Sequence, residues 1–377
     1  MKLLYLTNIP APYRIKRFND MALIFKKRDI DVEVLFMSDV EPDRKWNVDY
    51  ESMRFEYKVW PGVHPQIGNM FAHYNPTLLK RLSRNDYDAI VVGGMSCPTL
   101  WFAKWHINSS AKKIMSVETN LMGDTVKTGI KKFVKKRLLK GYDAYQVTGN
   151  PQREYVEFFN PEAKTNSFIT LPNLIDPNVF NPSVIPVEKN TYDFPDNKML
   201  CVIPARIVPG KIPFVFLEAT REVENIHFVI VGNGGEYAKQ VREKIEKDKL
   251  PFTIIDFVQQ DMMARLYKTA DMFCLPTLTD ASPLSPIEAI ATGLPILVSN
   301  VIGNINEVLD EGHNGFSFNV FDKESILKVL KKVDQMSKVE LSQMGDVSYE
   351  RYKGVFDNVN CLNRYADAIK HLIQNNQ

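Results

Sequence analysis

Two basic residues stand five positions apart in the segment VIPARIVPGK. The apolar run Met199–Ile203 predicts a buried strand, and the loop that follows carries Arg206 and Lys211 on either side of Pro209 and Gly210. A guanidinium donates two parallel hydrogen bonds to phosphate oxygens, and an ammonium acts as a point charge. The pair could therefore neutralise a diphosphate. On spacing alone, an ordinary solvated loop is the stronger interpretation.

A second apolar run ends in Gly232, Asn233, Gly234 and Gly235, and a helical pattern follows at once. Glycines let a backbone approach a ligand closely, and the helix N-terminus favours an anion. As a dinucleotide-binding fingerprint the segment is incomplete, because the last glycine of G-x-G-x-x-G is absent and Ala238 stands one place late. A tight strand-to-helix turn explains the segment equally well.

The segment CLPTLTDASPLSPIEAIATGLPILVSN carries two carboxylates, Asp280 and Glu288. Ser285 and Glu288 match a capping box with Pro286 at the first helical position, which predicts that Glu288 caps the helix. The loop from Asp280 to Leu284 would also present N–H groups beside a positive helix end, where phosphate binds well. Both carboxylates could then reach hydroxyl groups of a bound sugar or ribose, and both interpretations remain open.

Short apolar runs alternate with longer helical patterns along the chain, which is typical of parallel sheets covered by helices. At 377 residues the chain exceeds what one core usually supports. The segment Pro172–Pro186 is rich in proline, lacks periodicity and predicts a linker. We therefore predict an α/β chain with one doubly wound domain over residues 1–175 and a second over residues 176–354. Ten strands are predicted, at Leu3–Leu6, Val32–Phe36, Ala89–Val92, Lys113–Val117, Ala144–Val147, Met199–Ile203, His227–Val231, Thr253–Phe257, Met272–Leu275 and Pro295–Val298.

Composition excludes several classes of protein. Lys and Arg total 47 against 45 Asp and Glu, so bulk charge does not favour a nucleic-acid partner. The four cysteines are scattered, which argues against a zinc site or a disulfide scaffold and fits a reducing cytoplasm. No apolar stretch approaches the roughly 20 residues that span a bilayer, so any membrane contact is expected to be peripheral.

The order of the three chemical segments carries a family resemblance. Three motifs follow one another: Arg-x4-Lys after one strand, Gly-Asn-Gly-Gly after the next, and Asp280 followed by Glu288-Ala and Gly-Leu-Pro. In this order they resemble the donor domain of family 4 retaining glycosyltransferases (group 1 glycosyltransferases). The resemblance runs from about Leu200 to Phe318. It implies the GT-B fold, in which two Rossmann-like domains face each other across a cleft. It also implies that the C-terminal helix, at about residues 355–377, returns to the first domain.

The resemblance also implies roles for residues of the second domain. Arg206 and Lys211 would bind the donor diphosphate, Glu288 the ribose hydroxyls, and the backbone at Phe257 and Val258 would lie near the base. The loop Gly232–Gly235 would also contact the donor. The family's sugar-reading glutamate falls at Asp280, one methylene shorter, and the Gly-Phe that follows it is replaced. The replacing residues, which continue the donor loop, are Ala281 and Ser282, followed by Pro283 and Leu284.

The first half offers weaker candidates for an acceptor site, which the family places in this domain. Pro12, Tyr13 and Arg14 occupy the place of a glycine-rich loop, where Arg14 could meet an anion, or the turn simply starts a helix. Glu118 and Asn120 follow a predicted strand at the carboxyl end of the sheet and could orient an acceptor hydroxyl, although a surface turn is slightly favoured for Glu118. The Asp86-x-Asp88 pair precedes a strand, so we interpret it as a turn rather than a metal site.

A basic segment lies between residues 126 and 140. It holds seven Lys and Arg residues and no acidic one, with Ile130, Phe133, Val134, Leu138 and Leu139 at near-helical spacing. A basic amphipathic helix of this type could lie on anionic lipid. A helix whose apolar residues cover the sheet and whose basic side faces water is favoured slightly.

The resemblance implies metal-independent transfer with retention at the anomeric carbon and no cofactor. We expect a hexose-type sugar to move from a nucleotide-diphosphate-sugar to a glycan or lipid-linked saccharide, in bacterial-type surface polysaccharide or glycoconjugate synthesis. The expected location is cytoplasmic, with a peripheral position on the inner face of the plasma membrane as an option. A sugar-nucleotide epimerase of the same architecture and a non-catalytic nucleotide-sugar-binding subunit are the alternatives.

Overall fold

A computed structural model describes residues 1–41, 48–67, 70–124 and 128–374. Two compact units are present, one formed by Met1–Leu174 and the helix from Asn358 onward, the other by Ile175–Asp357. Each is an α/β unit built on a parallel sheet, as the alternation of apolar runs and helical patterns predicts. Within the described residues, no helix is long and apolar enough to cross a membrane.

The strands are short and mostly buried on both faces, as expected for parallel sheets covered by helices. Their bounds are β1 Lys2–Thr7, β2 Asp31–Phe36, β3 Glu56–Val59, β4 Gln66–Ile67, β5 Met70–Phe71, β6 Ala89–Val92, β7 Lys112–Val117, β8 Ala144–Val147, β9 Phe168–Thr170, β10 Met199–Pro204, β11 Ile226–Val231, β12 Phe252–Ile255, β13 Met272–Leu275, β14 Ile296–Ser299 and β15 Gly315–Phe318. All ten predicted strands are found. The sequence pattern missed the short strands β3, β4, β5, β9 and β15, most of which are too brief to show a period.

The helices connect the strands in sequence. Their bounds are α1 Pro12–Lys26, α2 Pro76–Leu82, α3 Pro98–His106, α4 Gly129–Leu139, α5 Asn150–Phe159, α6 Phe214–Ala219, α7 Glu236–Asp248, α8 Gln260–Thr269, α9 Ser285–Ala291, α10 Ile305–Val308, α11 Lys323–Asp334, α12 Lys338–Phe356 and α13 Asn358–Gln374. In the first unit, α1 and α13 cover one face of the sheet and α2, α3 and α5 the other.

Strand order reverses once in each unit. The first sheet runs β3-β2-β1-β6-β7-β8-β9 and the second β12-β11-β10-β13-β14-β15. The chain therefore leaves β1 and β6 in opposite directions, and does the same after β10 and β13. Such a reversal opens a crevice beyond the carboxyl ends of the two strands, which is where open α/β sheets bind ligands.

Two sequence interpretations need correction. Pro172–Pro186 is not a free linker, because Ile175 and Phe180 are buried in the core of the second unit. Helix α4 does not cover the sheet with its apolar side, since Leu139 is its one buried residue. The slightly favoured interpretation of the basic segment is therefore wrong. Val126 and Lys127, at its start, lie outside the described residues.

Candidate functional site

The loops after β10 and β13 meet at the reversal point of the second sheet. The ammonium of Lys211 lies 2.5 Å from Oδ2 of Asp280 and donates to the Thr279 carbonyl at 3.3 Å. The Gly210 carbonyl accepts from the Leu278 N–H and the Thr277 hydroxyl, both at 2.9 Å. The predicted diphosphate-binding lysine and sugar-reading carboxylate are therefore neighbours, joined in an ion pair.

Arg206, the other predicted cation, lies in the same loop as Lys211. Its side chain is exposed and has no ion pair or hydrogen bond within the residues that the structure describes. The backbone around it is fixed, because Ala205 donates to the Val231 carbonyl at 3.1 Å and Ile207 to the Asn233 carbonyl at 2.9 Å. A fixed backbone with an unengaged guanidinium suits the capture of an anion.

The glycine-rich loop after β11 packs against this Arg206 loop. A Cβ on Gly232 would lie 2.2 Å from the Ala205 carbonyl oxygen, and one on Gly234 would lie 2.2 Å from that of Ile207. These two glycines are therefore required by the approach of two backbones, which supports the tight-turn interpretation. Gly235 has open space around it and precedes α7 as its N-cap. The loop holds the Arg206 segment in place.

Glu288 does not cap its helix. The N-cap of α9 is Leu284, with no capping side chain, so Ser285 is already helical and the predicted capping box is wrong. The Glu288 carboxylate instead accepts a hydrogen bond from the Tyr267 hydroxyl at 3.0 Å. The residue is partly exposed, but its carboxyl group lies among protein atoms. This burial raises the pKa of Glu288 to about 7, and the tyrosine bond acts in the opposite direction.

Sequence reasoning missed Tyr267. It lies on α8, its ring is fully buried, and burial and the neighbouring Glu288 hold the pKa of its hydroxyl well above the ordinary value. Met263, Leu266 and Tyr267 share the buried face of the helix, a pattern that predicts core packing alone. The one available signal was chemical, since a buried tyrosine hydroxyl normally needs a polar partner.

The remaining predicted donor residues surround these loops. Phe257 follows β12 and is exposed, and Val258 is partly buried. The loop Asp280–Leu284 is held by the turn after β14. Gly303 donates to the Asp280 carbonyl at 2.9 Å, and the Asn304 amide donates to that of Pro283 at 2.9 Å. Ala281 and Ser282 lie within this supported loop.

The first unit has a cavity of about 530 Å³ at the carboxyl ends of β1, β6 and β7. Arg14 and Glu118, two predicted acceptor-side residues, both line it. Arg14 donates to the Thr7 hydroxyl at 2.6 Å, and its guanidinium lies 3.7 Å from the Glu118 carboxylate. Pro12 is the first residue of α1, and the Tyr13 ring lies under the Arg14 guanidinium at 5.8 Å. The loop thus both starts a helix and places a cation.

Asn120 stabilises a turn: it is buried, and its side-chain oxygen accepts a hydrogen bond from the Gly123 N–H at 2.8 Å. A second polar group in the cavity wall was not predicted. The buried Asp124 carboxylate accepts from the Tyr155 hydroxyl at 2.8 Å and pairs with Lys135. These residues come from three separate segments, so spacing along the chain gave no sign of their meeting.

The Asp-x-Asp pair belongs to the opposite end of the first sheet. Asp88 accepts from the Lys2 backbone N–H at 2.7 Å at the amino end of β6, and Asp86 pairs with Arg81. Both carboxylates have structural partners, in agreement with their interpretation as a turn.

Comparison with known proteins shows what this part of the chain resembles. Residues 184–344 match the model of glycosyl transferases group 1. An Escherichia coli UDP-Gal:alpha-D-GlcNAc-diphosphoundecaprenol alpha-1,3-galactosyltransferase is 28% identical over 172 residues, which are 43% of this chain and 44% of the relative. An Acholeplasma laidlawii alpha-monoglucosyldiacylglycerol synthase is 26% identical over 190 residues, 48% of this chain and 46% of the relative. These matches span less than half of the relatives' own length.

Solved structures extend the likeness to the whole fold. The structure of Anabaena Alr3699/HepE in complex with UDP and glucose superposes with a TM-score of 0.76 at 14% identity, over 98% of this chain and 99% of that one. This likeness confirms the predicted pair of Rossmann-like domains of the GT-B class. Residues 184–344 are therefore similar to the domain that group 1 glycosyltransferases share.

Proposed function

We propose that the protein is a retaining, metal-independent glycosyltransferase. It moves a hexose-type sugar from a nucleotide-diphosphate-sugar to a glycan or lipid-linked saccharide in bacterial-type surface polysaccharide or glycoconjugate synthesis. The observation that carries the proposal is the Lys211–Asp280 ion pair, with Arg206 in the same loop as Lys211, at the strand-order reversal of the unit that matches the family model. Two cations and a carboxylate at that crevice fit a diphosphate joined to a sugar.

The two cations interact with the diphosphate in different ways. Arg206 has no internal partner among the described residues and offers its fork of N–H groups to phosphate oxygens. Lys211 adds a second positive charge, which the ion pair with Asp280 holds over the β13 loop. As the bond from sugar to diphosphate breaks, negative charge grows on the leaving group, and preplaced cations stabilise that charge without reorganisation. Paired cations of this kind remove the need for a metal ion.

Asp280 and Glu288 would bind hydroxyl groups. Asp280 accepts from a hydroxyl of the transferred sugar while it stays close to Lys211, so its shorter side chain brings the sugar nearer to the β13 loop. Glu288 accepts from the ribose, with the Tyr267 hydroxyl fixing the orientation of its carboxyl group at 3.0 Å. The exposed ring of Phe257 lies at the end of the neighbouring strand, where the base would bind.

The acceptor class rests on the relatives and on the first unit. The E. coli relative acts on a lipid-diphosphate-linked sugar, and the A. laidlawii relative makes a glycolipid. In this chain, the cavity of about 530 Å³ lined by Arg14 and Glu118 offers a cation and a carboxylate to such an acceptor. A lipid-linked acceptor would place the enzyme in the cytoplasm, on the inner face of the membrane.

One observation favours a second candidate, a non-catalytic nucleotide-sugar-binding subunit. The carboxylate of Asp280 is already bound to Lys211 at 2.5 Å, and a carboxylate occupied in this way reads a sugar less well. The two candidates differ in turnover rather than in binding.

A two-stage experiment tests the proposal. A panel of nucleotide sugars is first screened for thermal stabilisation, because a ligand that binds the folded protein raises its stability by mass action. The stabilising donor is then incubated with and without lipid-linked and free saccharides, in EDTA and with Mg²⁺. Transfer in EDTA with the donor's anomeric configuration kept supports the proposal. Donor binding without any new product would establish the binding subunit, and a changed sugar nucleotide without acceptor would establish an epimerase.

A further inference from the structure

Helix α4 presents an apolar stripe to the outside of the first unit. Ile130 is 83% exposed and Phe133 69%, and Val134 beside them is also exposed. Exposed positions 130, 133 and 134 recur at the spacing of one helix face, so they form a continuous stripe. Large apolar side chains this exposed on one face are a mark of an interaction surface.

Helix α3 adds three aromatic side chains to this surface. Trp101, Phe102 and Trp105 are all exposed and lie on one side of the helix, whereas Leu100 and Ala103 pack into the core. The rings of Phe102 and Trp105 lie 6.2 Å apart.

A buried lysine joins the two helices. The Lys104 ammonium, on α3, donates to the carbonyls of Leu138 at 2.9 Å and Lys140 at 2.7 Å, at the C-terminal end of α4. The C-terminal end of α4 is therefore anchored to α3, and both helices expose apolar side chains. Together they form the α3–α4 face, which consists of Trp101, Phe102, Trp105, Ile130, Phe133 and Val134.

Unpaired positive charge accompanies this apolar surface. Lys131, Lys136 and Arg137 are exposed, and within the described chain none of them has an ion-pair partner. Lys132 lies over the Phe158 ring at 4.3 Å. Lys135 is different, because it pairs with Asp124 in the cavity wall and so belongs to the interior. The stretch Gly129–Leu139 contains no acidic residue.

We propose that the α3–α4 face docks on the surface of an anionic lipid bilayer. Aromatic and aliphatic side chains enter the boundary between headgroups and acyl chains, and flanking cations pair with lipid phosphates. A second copy of this chain fits less well, because a self-complementary contact would bring the same unpaired cations together. The proposal goes beyond glycosyl transfer, since docking needs neither donor nor acceptor.

Vesicle sedimentation tests the proposal on the full-length protein. Vesicles of phosphatidylglycerol and phosphatidylcholine are compared with vesicles of phosphatidylcholine alone, at low salt and at 0.5 M NaCl. We expect sedimentation with the anionic vesicles at low salt, weakened by salt. Lys131→Gln, Lys136→Gln and Arg137→Gln combined should lower the partition coefficient on the order of 100-fold, from about 1 kcal/mol per cation. Ile130→Ser with Phe133→Ser should lower it as well, because both side chains are exposed and their loss leaves the core intact.

The matched control changes three exposed lysines of the second unit, Lys239, Lys247 and Lys328, to glutamine. This variant loses the same net charge and should still sediment like the wild type. Wild-type protein that ignores anionic vesicles at low salt would overturn the proposal. A control variant that loses binding as much as the α4 variant would do the same, because bulk charge would then explain sedimentation. A further outcome against the proposal is a wild type that ignores vesicles and forms a dimer in sedimentation velocity. If Ile130→Ser with Phe133→Ser dissociates that dimer, the face binds a second copy of the chain.

Discussion

The carboxyl edges of the two sheets differ in how their polar groups are engaged. At the second sheet, Arg206 has no side-chain partner among the described residues, and backbone hydrogen bonds hold the loop around it. At the first sheet, Arg14 is held by Thr7 and Glu118, and Asp124 by Tyr155 and other partners. A ligand at the second edge meets one unengaged cation, Arg206, beside the Lys211–Asp280 ion pair, whereas Arg14 and Asp124 at the first edge must both exchange existing bonds.

This difference explains why the sequence identified one half and not the other. The loops of the second unit are constrained by backbone packing, since Gly232 and Gly234 have no room for a side chain. Such constraints fix residue type and spacing, so the motif can be recognised in the sequence. The first edge is built from side chains of separate segments that satisfy one another, and many combinations can do so.

The largest predicted effect is on the cations of the second edge. Arg206→Ala and Lys211→Ala should each reduce kcat/KM by about 30- to 1,000-fold, or about 2–4 kcal/mol, because each removes a cation proposed to stabilise the leaving diphosphate. Lys239→Ala, which removes an exposed lysine of α7, is the matched control and should transfer at the wild-type rate. If both variants transfer sugar at near the wild-type rate, the donor does not bind at this edge.

The packing beneath the second edge gives the next prediction. A Cβ on Gly345 would lie 2.2 Å from the Gly293 carbonyl oxygen, where α12 packs on α9, whereas one on Gly354 meets nothing within 4 Å. Gly345→Ala should therefore lower the free energy of unfolding of this unit by about 1–3 kcal/mol through overpacking. Gly354→Ala, in the same helix, should raise it by up to about 1 kcal/mol. Urea unfolding followed by circular dichroism measures both. Equal effects would mean that α9 is not held by this contact.

Glu288 predicts a pH dependence of stability. Its pKa, raised to about 7, means that the folded state favours the neutral carboxyl. The stabilisation is complete below about pH 4.5 and is lost as pH rises through about 7. The full shift corresponds to about 3 kcal/mol, and partial exposure reduces this to roughly 1–2 kcal/mol. Glu288→Gln stays neutral and can still accept from Tyr267, so its stability relative to the wild type should improve between pH 5 and pH 8.

Urea midpoints at the two pH values measure this effect, with Glu236→Gln on the exposed start of α7 as the control. The control should keep the wild-type pH dependence. If Glu288→Gln follows the wild type at both pH values, the carboxyl group of Glu288 is solvated and the argument from burial fails.

What the sequence predicts follows the same division: features fixed by the backbone are predicted, and contacts between side chains are not. Apolar runs of four or more residues located ten strands, and motif order brought Arg206, Lys211 and Asp280 to one edge, although their roles remain predictions. The role of Tyr267 was not predicted, because helical periodicity indicates only that the residue is buried and cannot show which polar group its hydroxyl contacts. The capping box failed for a related reason, because Leu284 itself adopts helical dihedral angles and starts the helix one residue earlier than the motif requires.

The smallest predicted effect is at the first edge and tests whether the two edges have separate tasks. The Arg14 to Glu118 contact is 3.7 Å long and Glu118 is nearly half exposed, so the pair contributes less than about 1 kcal/mol to stability. Glu118→Gln should leave unfolding almost unchanged. Because it removes a carboxylate from the cavity proposed for the acceptor, it should raise KM for the acceptor by up to about fivefold, the equivalent of 1 kcal/mol.

Initial rates at varied acceptor and saturating donor give this KM, and calorimetry with the nucleoside diphosphate gives the donor-side Kd. The Kd should match the wild type for Glu118→Gln and weaken for Arg206→Ala, because the proposed nucleotide site lies at the second edge. A Glu118→Gln variant whose nucleotide affinity falls as far as that of Arg206→Ala would contradict this separation. The carboxylate of Glu118 would then act on the donor, and the cavity of the first unit would need another ligand.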